Sequence, residues 1–369
     1  MKIEGDSLER ALEKQLLKLF ETLPGLASEC KVWRNPAAAD KSFDIMGEMK
    51  LRTGDKVELR VECKDLPRPS QFPYVGLTNA FRSDGTRTIR VPVLAAPHIS
   101  PRMAELCEKH GWSWFDLAGN CRLVVPGALY VERTGLAAVH ERPKPKANLG
   151  TAASARVLRA LLMADPVQQR WTQTSLQKAC NPSVSMGLVN KVVTYLREQA
   201  WVSLDDDGHF FVSDPLGLLQ EWEKDYRYDR HRQLSYFTLL KGEELEYQLA
   251  TLLNSEGKAA YAVFSAAERE APHVRQNKTW LYVNDAALDD FETMVKAKRV
   301  DSGANLVVLI PEDDGVFYEN RFRLRRALGR TNPVQTWLDL KNAGGRGEEA
   351  AEAIWEQCLK PEWKGPPNV

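Results

Sequence analysis

The sequence lacks cysteines arranged to hold a metal ion or a disulfide framework. Its six cysteines are scattered, no C-x-x-C pair occurs, and the six histidines do not flank them at zinc-ligand spacing. Scattered thiols of this kind are typical of a reducing compartment. The sequence therefore argues against a zinc finger and against a disulfide-stabilised secreted domain, and we expect a cytoplasmic location.

Long apolar runs are also missing. Residues 1–20 have an amphipathic, charged pattern without the apolar centre of an export signal. No apolar run reaches the roughly eighteen residues that a membrane-spanning helix needs. We therefore expect neither an export signal nor a membrane span.

The chain has no excess charge of either sign. Its 50 basic and 50 acidic residues give a formal net charge of +0. A surface for nucleic acid would therefore have to be a local basic patch. The hydrophobic content of 43% indicates folded domains rather than disorder, and 369 residues suffice for two or three of them.

Residues 139–152 predict an extended linker, because basic residues alternate there with prolines and cannot continue a helix. The linker separates an α/β pattern over residues 1–138 from a helical pattern over residues 153–232. The mixed pattern returns over residues 233–369. We therefore predict a multidomain α/β protein with three domains.

The middle segment predicts a winged helix-turn-helix. Apolar spacing indicates a first helix over 154–163, Thr172 is an N-cap for a short second helix, and a third helix runs over 185–199. Two short apolar runs around an Asp-Gly turn then predict a hairpin, the wing. In this fold the start of the third helix reaches base edges in the major groove. A helical bundle with a hairpin that binds nothing remains the alternative.

The third helix has a buried stripe of valines and one leucine, which leaves polar residues at its start facing outward. We expect base or backbone contacts from Ser183, Ser185, Asn190 and Lys191. The wing tip is acidic, so we expect phosphate contacts elsewhere. The candidates are Lys178, Lys191, Arg197 and the linker residues Lys144 and Lys146.

The first segment contains two carboxylates and a lysine in a strand context. Asp44 precedes a hairpin, and Glu62 and Lys64 lie on its second strand, on one face because strand side chains alternate. Two convergent carboxylates, Asp44 and Glu62, suit Mg²⁺ or Mn²⁺. An ammonium beside them can steady the charge on an attacked phosphate.

This D…E-x-K order resembles the PD-(D/E)XK nuclease superfamily over about residues 1–135. The resemblance implies an acidic residue on the first helix, for which Glu13 is the first candidate and Glu9 the second. The segment departs from the family at residues 66–73, which are too proline-rich for the usual helix. A nuclease fold kept as an inactive scaffold and a solvated Glu/Lys pair remain alternatives, so enzymatic activity is left open.

Several stretches together resemble the bacterial AbiEi-type antitoxins of type IV toxin–antitoxin systems. They are residues 111–120, 214–222, 333–340 and 345–351. The resemblance implies an α/β C-terminal domain and a transcriptional regulator that controls an operon with a nucleotidyltransferase-like toxin. The chain departs from the antitoxins proper because its winged helix lies in the middle rather than at the N-terminus.

The C-terminal segment has a dense arginine run over residues 321–330. On a strand, Arg323 and Arg325 would share one face, which either contacts phosphate or is simply solvated. Residues 344–347 are glycine-rich but do not follow the phosphate-binding-loop pattern. We expect them to end one helix and start the next.

The favoured function is a sequence-specific duplex-DNA-binding protein that acts as a transcriptional regulator. The alternative is a Mg²⁺-dependent DNA endonuclease targeted by the same winged helix. A protein-interaction module that acts without DNA is a third class. Expected partners are double-stranded DNA and a cognate toxin protein, and a homodimer is left open.

Overall fold

The computed structural model describes residues 5–22, 27–34, 43–65, 67, 80–83, 86–137, 147–166, 168–205, 207–253, 258–318 and 329–363. The chain divides into two compact units. One comprises residues 1–144 with 196–203, and the other comprises residues 145–195 with 204–369. No helix in these described ranges is long and apolar enough to cross a membrane.

The described part of residues 1–144 contains an eight-stranded mixed sheet and two helices. The helices are α1 (Gly5–Glu21) and α2 (Pro101–Lys109). The strands are β1 (Ala27–Arg34), β2 (Ile45–Leu51), β3 (Lys56–Cys63), β4 (Ala80–Ser83), β5 (Thr86–Ala96), β6 (Ser113–Asp116), β7 (Cys121–Val125) and β8 (Leu129–Arg133). Their order is β1-β2-β3-β5-β6-β7-β8, with β4 also paired to β5.

Helix α1 packs on this sheet through its apolar stripe. Leu12 and Leu16 are fully buried and belong to the same core cluster as Ile45 and Leu59 of the sheet. Gly47 on β2 permits the close approach, since an added Cβ would lie 3.1 Å from a Leu16 methyl group. The apolar periodicity of α1 therefore explains where the helix sits.

Three parallel strands end at one edge of the sheet. β3 pairs in parallel with β5, and β5 pairs in parallel with β6, so that Cys63 stands opposite Ala95 and Ala96 opposite Asp116. β2 is antiparallel to β3, which brings its first residues to this same edge. The expected hairpin turn between β2 and β3 is present, with Gly54 at a φ of +89°. Asp44 precedes β2 and Lys64 follows β3, so both lie at this edge.

Residues 147–212 form three helices and a hairpin. The helices are α3 (Ala152–Met163), α4 (Gln173–Ala179) and α5 (Met186–Glu198). Strands β9 (Val202–Leu204) and β10 (Phe210–Val212) form a two-stranded sheet. Helix α3 begins two residues before the predicted start because Thr151 caps it through the backbone N–H of Ser154.

The described residues after position 212 form a five-stranded sheet with helices packed against it. The strands are β11 (Arg232–Phe237), β12 (Ala259–Tyr261), β13 (Thr279–Val283), β14 (Lys298–Arg299) and β15 (Leu306–Ile310), in the order β12-β13-β15-β11-β14. The helices are α6 (Pro215–Asp225), α7 (Gly242–Leu253), α8 (Val263–Glu270), α9 (Leu288–Met294), α10 (Pro333–Asn342), α11 (Gly347–Ile354) and α12 (Lys360–Trp363). A π-helical turn, Trp355–Leu359, separates the last two.

The glycine-rich segment at 344–347 lies where the sequence predicts it. Helix α10 ends at Asn342 and α11 begins at Gly347, and both Gly344 and Gly345 have positive φ. The backbone therefore uses these glycines to turn between two helices. Residues 319–328, which hold most of the arginine run including Arg323 and Arg325, lie outside the described residues.

A buried polar network joins α3 to α10. The guanidinium of Arg159 is almost completely buried and donates two hydrogen bonds to Gln335 Oε1, at 2.9 and 2.6 Å. The Gln335 amide then donates to the Tyr226 hydroxyl and to Asp339 Oδ1, at 2.7 and 2.8 Å. The Tyr282 hydroxyl also donates to Asp339 Oδ1. A buried charge is tolerated only when it is hydrogen-bonded, so Gln335 is the residue that allows Arg159 to lie inside.

Candidate nucleic-acid interface

Helix α4 is fixed at both ends. Thr172 and Ser175 form a reciprocal cap, in which Thr172 Oγ1 accepts from the Ser175 N–H and Ser175 Oγ accepts from the Thr172 N–H. Beyond the helix, Gln177 Nε2 donates to the Val184 carbonyl at 3.1 Å. The predicted N-cap at Thr172 is confirmed by this geometry, and the side chain of Gln177 holds the following turn against the helix.

The turn between α4 and α5 is also tied to the rest of its unit. Arg156 on α3 donates through Nη1 to the Ser183 carbonyl at 3.1 Å and through Nε to Asp313 Oδ2 at 2.9 Å. Ser185 then begins α5, because its Oγ accepts from the Leu188 N–H at 3.2 Å. The predicted contact residues Ser183 and Ser185 are both exposed in this turn.

Helix α5 has two distinct faces. Its apolar stripe is buried and consists of Val189, Val192, Val193 and Leu196. Its first turns expose Met186, Gly187, Asn190 and Lys191. The sequence periodicity predicts this division. A helix that buries one face and leaves a polar start exposed can present that start to a groove.

Asn190 does not stand alone on the exposed face. Its Oδ1 accepts hydrogen bonds from Gln173 Nε2 at 3.1 Å and from Thr194 Oγ1 at 3.3 Å. The oxygen is therefore held by α4 and α5 together, and the amide NH₂ group is the part that can donate a hydrogen bond to a ligand. Sequence analysis missed Gln173, because its position beside Asn190 depends on how the two helices cross.

The basic candidates divide into three groups. Lys178 at the end of α4 and Lys191 on α5 are exposed. Arg197 is half-buried and already engaged in an interaction. Lys144 and Lys146 of the expected linker, like Arg323 and Arg325, lie outside the described residues. The described basic charge of this surface therefore comes chiefly from the two lysines.

The hairpin β9–β10 is held by side-chain and backbone hydrogen bonds. Asp205 Oδ1 accepts from the His209 N–H at 2.8 Å, and Trp171 exchanges two backbone hydrogen bonds with Phe210. The guanidinium of Arg170 lies 4.1 Å from the centre of the Phe211 ring, and its Nε lies 3.6 Å from Asp205 Oδ2. Arg170 therefore offsets part of the acidic charge at the tip, a feature that sequence analysis missed.

The second predicted site lies at the edge where β3 ends. Asp44 Oδ2 accepts from the Cys63 N–H at 2.7 Å, and Lys64 Nζ lies 3.0 Å from Glu62 Oε1. Burial raises the pKa of the Cys63 thiol, and the negative charges of Asp44 and Glu9 raise it further. The described contacts at this edge therefore join Asp44 to the backbone of Cys63 and Glu62 to Lys64.

The first-helix acid that faces this group is Glu9. Glu9 acts electrostatically on Cys63, whereas the Glu13 carboxylate lies 3.5 Å from Arg34 Nε on β1. The two glutamates are one helical turn apart, so the sequence alone could not decide between them. Glu9, the second candidate, therefore acts on Cys63, and Glu13, the first candidate, is paired with Arg34.

This donor set consists of carboxylates, which are ligands that hard divalent ions prefer. No group of three or more His, Cys, Asp or Glu residues within the described ranges is arranged to hold a metal ion. Mg²⁺ commonly takes only one or two protein carboxylates and completes its shell with water and substrate phosphate. The donor type of Asp44 and Glu62, a carboxylate, is the one that this smaller requirement uses.

Comparisons with known proteins identify one part of the chain. Residues 212–360 match a family model, AbiEi_2, described as "Transcriptional regulator, AbiEi antitoxin, Type IV TA system". No curated protein and no solved structure matches the chain. The matched residues begin at the end of β10 and run through α6, the five-stranded sheet and the helices around it. The resemblance to AbiEi-type antitoxins, which the sequence stretches in 214–222 and 333–351 predict, is therefore confirmed over residues 212–360.

Proposed function

We propose that this protein is a sequence-specific duplex-DNA-binding transcriptional regulator whose residues 153–232 act as a winged helix-turn-helix. The observation that carries the proposal is the exposed polar start of α5, on a helix whose opposite face is fully buried. The short capped helix before it and the hairpin after it support the same interpretation. In such folds the second helix of the motif enters the major groove.

Asn190 is the residue best placed to read a base. Because its oxygen already accepts from Gln173 and Thr194, its NH₂ group is left to donate. Guanine offers two acceptors in the major groove, N7 and O6, adenine offers N7 and thymine offers O4, whereas cytosine offers only a donor. We therefore infer discrimination against cytosine as the base opposite Asn190. Lys191 and Lys178 supply charge to the phosphates and read no sequence.

The family match supports a place in a toxin–antitoxin system. The description of the matched family names a transcriptional regulator and an antitoxin. We infer that residues 212–360 are part of a transcriptional regulator and contact a cognate toxin protein. Helix α3 is joined to α10 of the matched segment through Arg159 and Gln335, so the two parts can act as one body.

The test is selection of bound sites from a random duplex library, followed by titration of the selected duplex at fixed salt. Asn190→Ala should reduce discrimination between the selected site and a one-base variant, by about 1–3 kcal/mol. Lys191→Ala should weaken binding to both about equally. Lys258→Ala, an exposed lysine beside β12, is the matched control and should change nothing. No enriched site, or equal binding by all three variants, contradicts the proposal.

A second function is favoured by one specific observation, the position of Asp44, Glu62 and Lys64 at the edge of the sheet where β3 ends. We propose as the alternative a DNA endonuclease that uses Mg²⁺ or Mn²⁺. Asp44 and Glu62 would hold the ion, which supplies Lewis-acid chemistry when bound. Lys64 would stabilise negative charge on the scissile phosphate, and Glu9 would add negative potential from α1.

This alternative is tested with supercoiled DNA and Mn²⁺, with a chelator as control. Asp44→Asn and Glu62→Gln should each abolish nicking and remove Mn²⁺ binding in calorimetry. Glu9→Gln should slow nicking more than Glu13→Gln, which serves as the matched control because Glu13 pairs with Arg34. Nicking that persists in Asp44→Asn comes from a contaminant and would eliminate this alternative.

A further inference from the structure

A cavity of about 520 Å³ opens in the first unit near the carboxyl ends of β5 and β6. One wall is a face of α2, which presents Pro101, Ala104 and Glu108, and the facing wall includes residues 134–136. Its volume lies in the range of small-molecule sites. Ligands of open α/β sheets bind outside the carboxyl ends of the strands, so both the size and the location are those of a binding site.

A buried carboxylate organises this cavity. Asp116 at the end of β6 is fully buried, and its Oδ1 accepts from the N–H groups of Ala118 and Asn120, each at 3.0 Å. Burial acts to raise the pKa of Asp116, but its contacts with His98 and Asn120 outweigh this and lower the pKa. Asp116 therefore carries a negative charge inside the fold.

His98 lies between that charge and the cavity. Its Nδ1 lies 3.7 Å from Asp116 Oδ2, and His98 lines the cavity. The carboxylate favours a proton on Nδ1, which leaves Nε2 as an acceptor for a ligand. Asn120 fixes the facing wall, because its Oδ1 accepts from the Leu136 N–H at 2.8 Å and its Nδ2 donates to the Leu136 carbonyl at 3.0 Å.

Trp114 supplies an unmet donor. Its side chain lines the cavity and is only 3% exposed, yet the indole N–H has no hydrogen-bond partner among the residues that the structure describes. Buried polar groups in folded proteins are nearly always hydrogen-bonded. A ligand that places an oxygen against this N–H would satisfy it.

The charged side chains around the cavity indicate which charge the ligand carries. Three carboxylates line it, Glu105, Glu108 and Glu132, against one guanidinium, Arg122. Arg122 Nη2 lies 2.8 Å from Glu108. Glu132 instead accepts a hydrogen bond from the neutral hydroxyl of Tyr130. Glu105 is paired with Arg102, whose Nη1 lies 3.3 Å from Glu105 Oε2. Glu132 is therefore the lining carboxylate whose charge is left to attract a cation and repel phosphate.

We propose that this cavity binds a small organic ammonium compound that has an apolar body and one oxygen acceptor. The ammonium group lies by Glu132 and donates to His98 Nε2. The apolar body packs on Ala104, Ile99 and Trp114, and the oxygen accepts from the Trp114 indole. The site is separate from the DNA-reading surface and does not depend on it.

The test uses isothermal titration calorimetry on the full chain with four probes of one shape. Tyramine has both the ammonium and the oxygen, phenethylamine lacks the oxygen, 4-ethylphenol lacks the charge, and 3-(4-hydroxyphenyl)propionate reverses it. We expect tyramine to bind most tightly. Losing either feature should weaken binding roughly threefold to tenfold, the effect of one hydrogen bond or one partly exposed ion pair. The anion should not bind.

Variants assign each contact. Trp114→Phe should remove the advantage of tyramine over phenethylamine and leave phenethylamine unchanged. Glu132→Gln should remove the advantage of tyramine over 4-ethylphenol, whereas Glu21→Gln, on exposed α1 surface, should not. Ala104→Phe fills the cavity and should abolish all binding without unfolding the chain, as checked by melting temperature. Absence of binding by any probe, equal binding by all four, or binding that survives Ala104→Phe overturns the proposal.

Discussion

Replacing Gln335 by leucine tests the network that joins α3 to α10. Arg159 is 2% exposed, and its guanidinium donates twice to Gln335 Oε1, at 2.9 and 2.6 Å. Leucine has a similar volume but accepts no hydrogen bond, so Gln335→Leu leaves a buried cation without this acceptor. Removing one partner of a buried charge costs about 3–5 kcal/mol. We expect a loss of that size in the free energy of opening.

The second change in the cycle removes the charge itself. Arg159→Met keeps an unbranched side chain against the Trp222 ring, whose centre lies 5.5 Å from the guanidinium carbon. An apolar pair in place of a buried polar pair is often nearly neutral. The double variant Arg159→Met/Gln335→Leu should therefore be more stable than Gln335→Leu alone, by about 2 kcal/mol or more.

The measurement is amide hydrogen exchange of α3 and α10, because a chain of two units need not unfold in a single step. Gln233→Leu, on the exposed part of β11, is the matched control and should change the opening free energy by no more than about 0.5 kcal/mol. A loss below about 1 kcal/mol in Gln335→Leu, or a double variant as unstable as the sum of the singles, would refute the reasoning.

Three further predictions concern pH, salt and metal. Burial raises the pKa of Asp339 to about 7, so its contribution to stability is complete below pH 4 and is lost as pH rises to about 7. Asp339→Asn mimics the protonated acid, and its melting temperature relative to wild type should rise between pH 4.5 and pH 8. Lys191→Ala should reduce the steepness of the slope of log K against log[salt] by about 0.9. An unchanged slope would mean that Lys191 contacts no phosphate. Lys64→Ala should leave Mn²⁺ binding intact in calorimetry while slowing any nicking, and loss of Mn²⁺ binding would show that Lys64 only supports the fold.

The pH prediction is stated as a difference between variants because a second group titrates nearby. Burial lowers the pKa of His231 to about 4, with help from the charge of Arg159. The folded state therefore loses stability as pH falls from about 6.5 to 4, opposite in sign to Asp339. Both proteins contain His231, so comparing Asp339→Asn with wild type cancels its effect.

Local features of the sequence predicted local structure. The helices α3 to α5 and the hairpin after them follow from apolar spacing, an N-cap threonine and an Asp-Gly turn, each of which acts within a few residues. The buried stripe of α5 is predicted for the same reason. The folded structure contains the helices and the hairpin that these local patterns favour.

Contacts between residues far apart in the sequence could not be predicted. Arg159 and Gln335 are 176 residues apart, and no local sequence pattern around either residue indicates that they pair. The choice between Glu9 and Glu13 depends on the position of α1 along the sheet, which the apolar periodicity of the helix does not determine. The support of Asn190 by Gln173 likewise depends on a helix crossing.

The most direct test of the central claim is photo-cross-linking from α5 to the selected duplex. A benzoylphenylalanine in place of Met186, which is exposed at the start of the helix, should cross-link to bases inside the bound site. The same residue in place of Tyr247, exposed on α7, is the matched control. The proposal predicts base cross-links from position 186 only. Equal yields from the two positions, with binding intact, would contradict it.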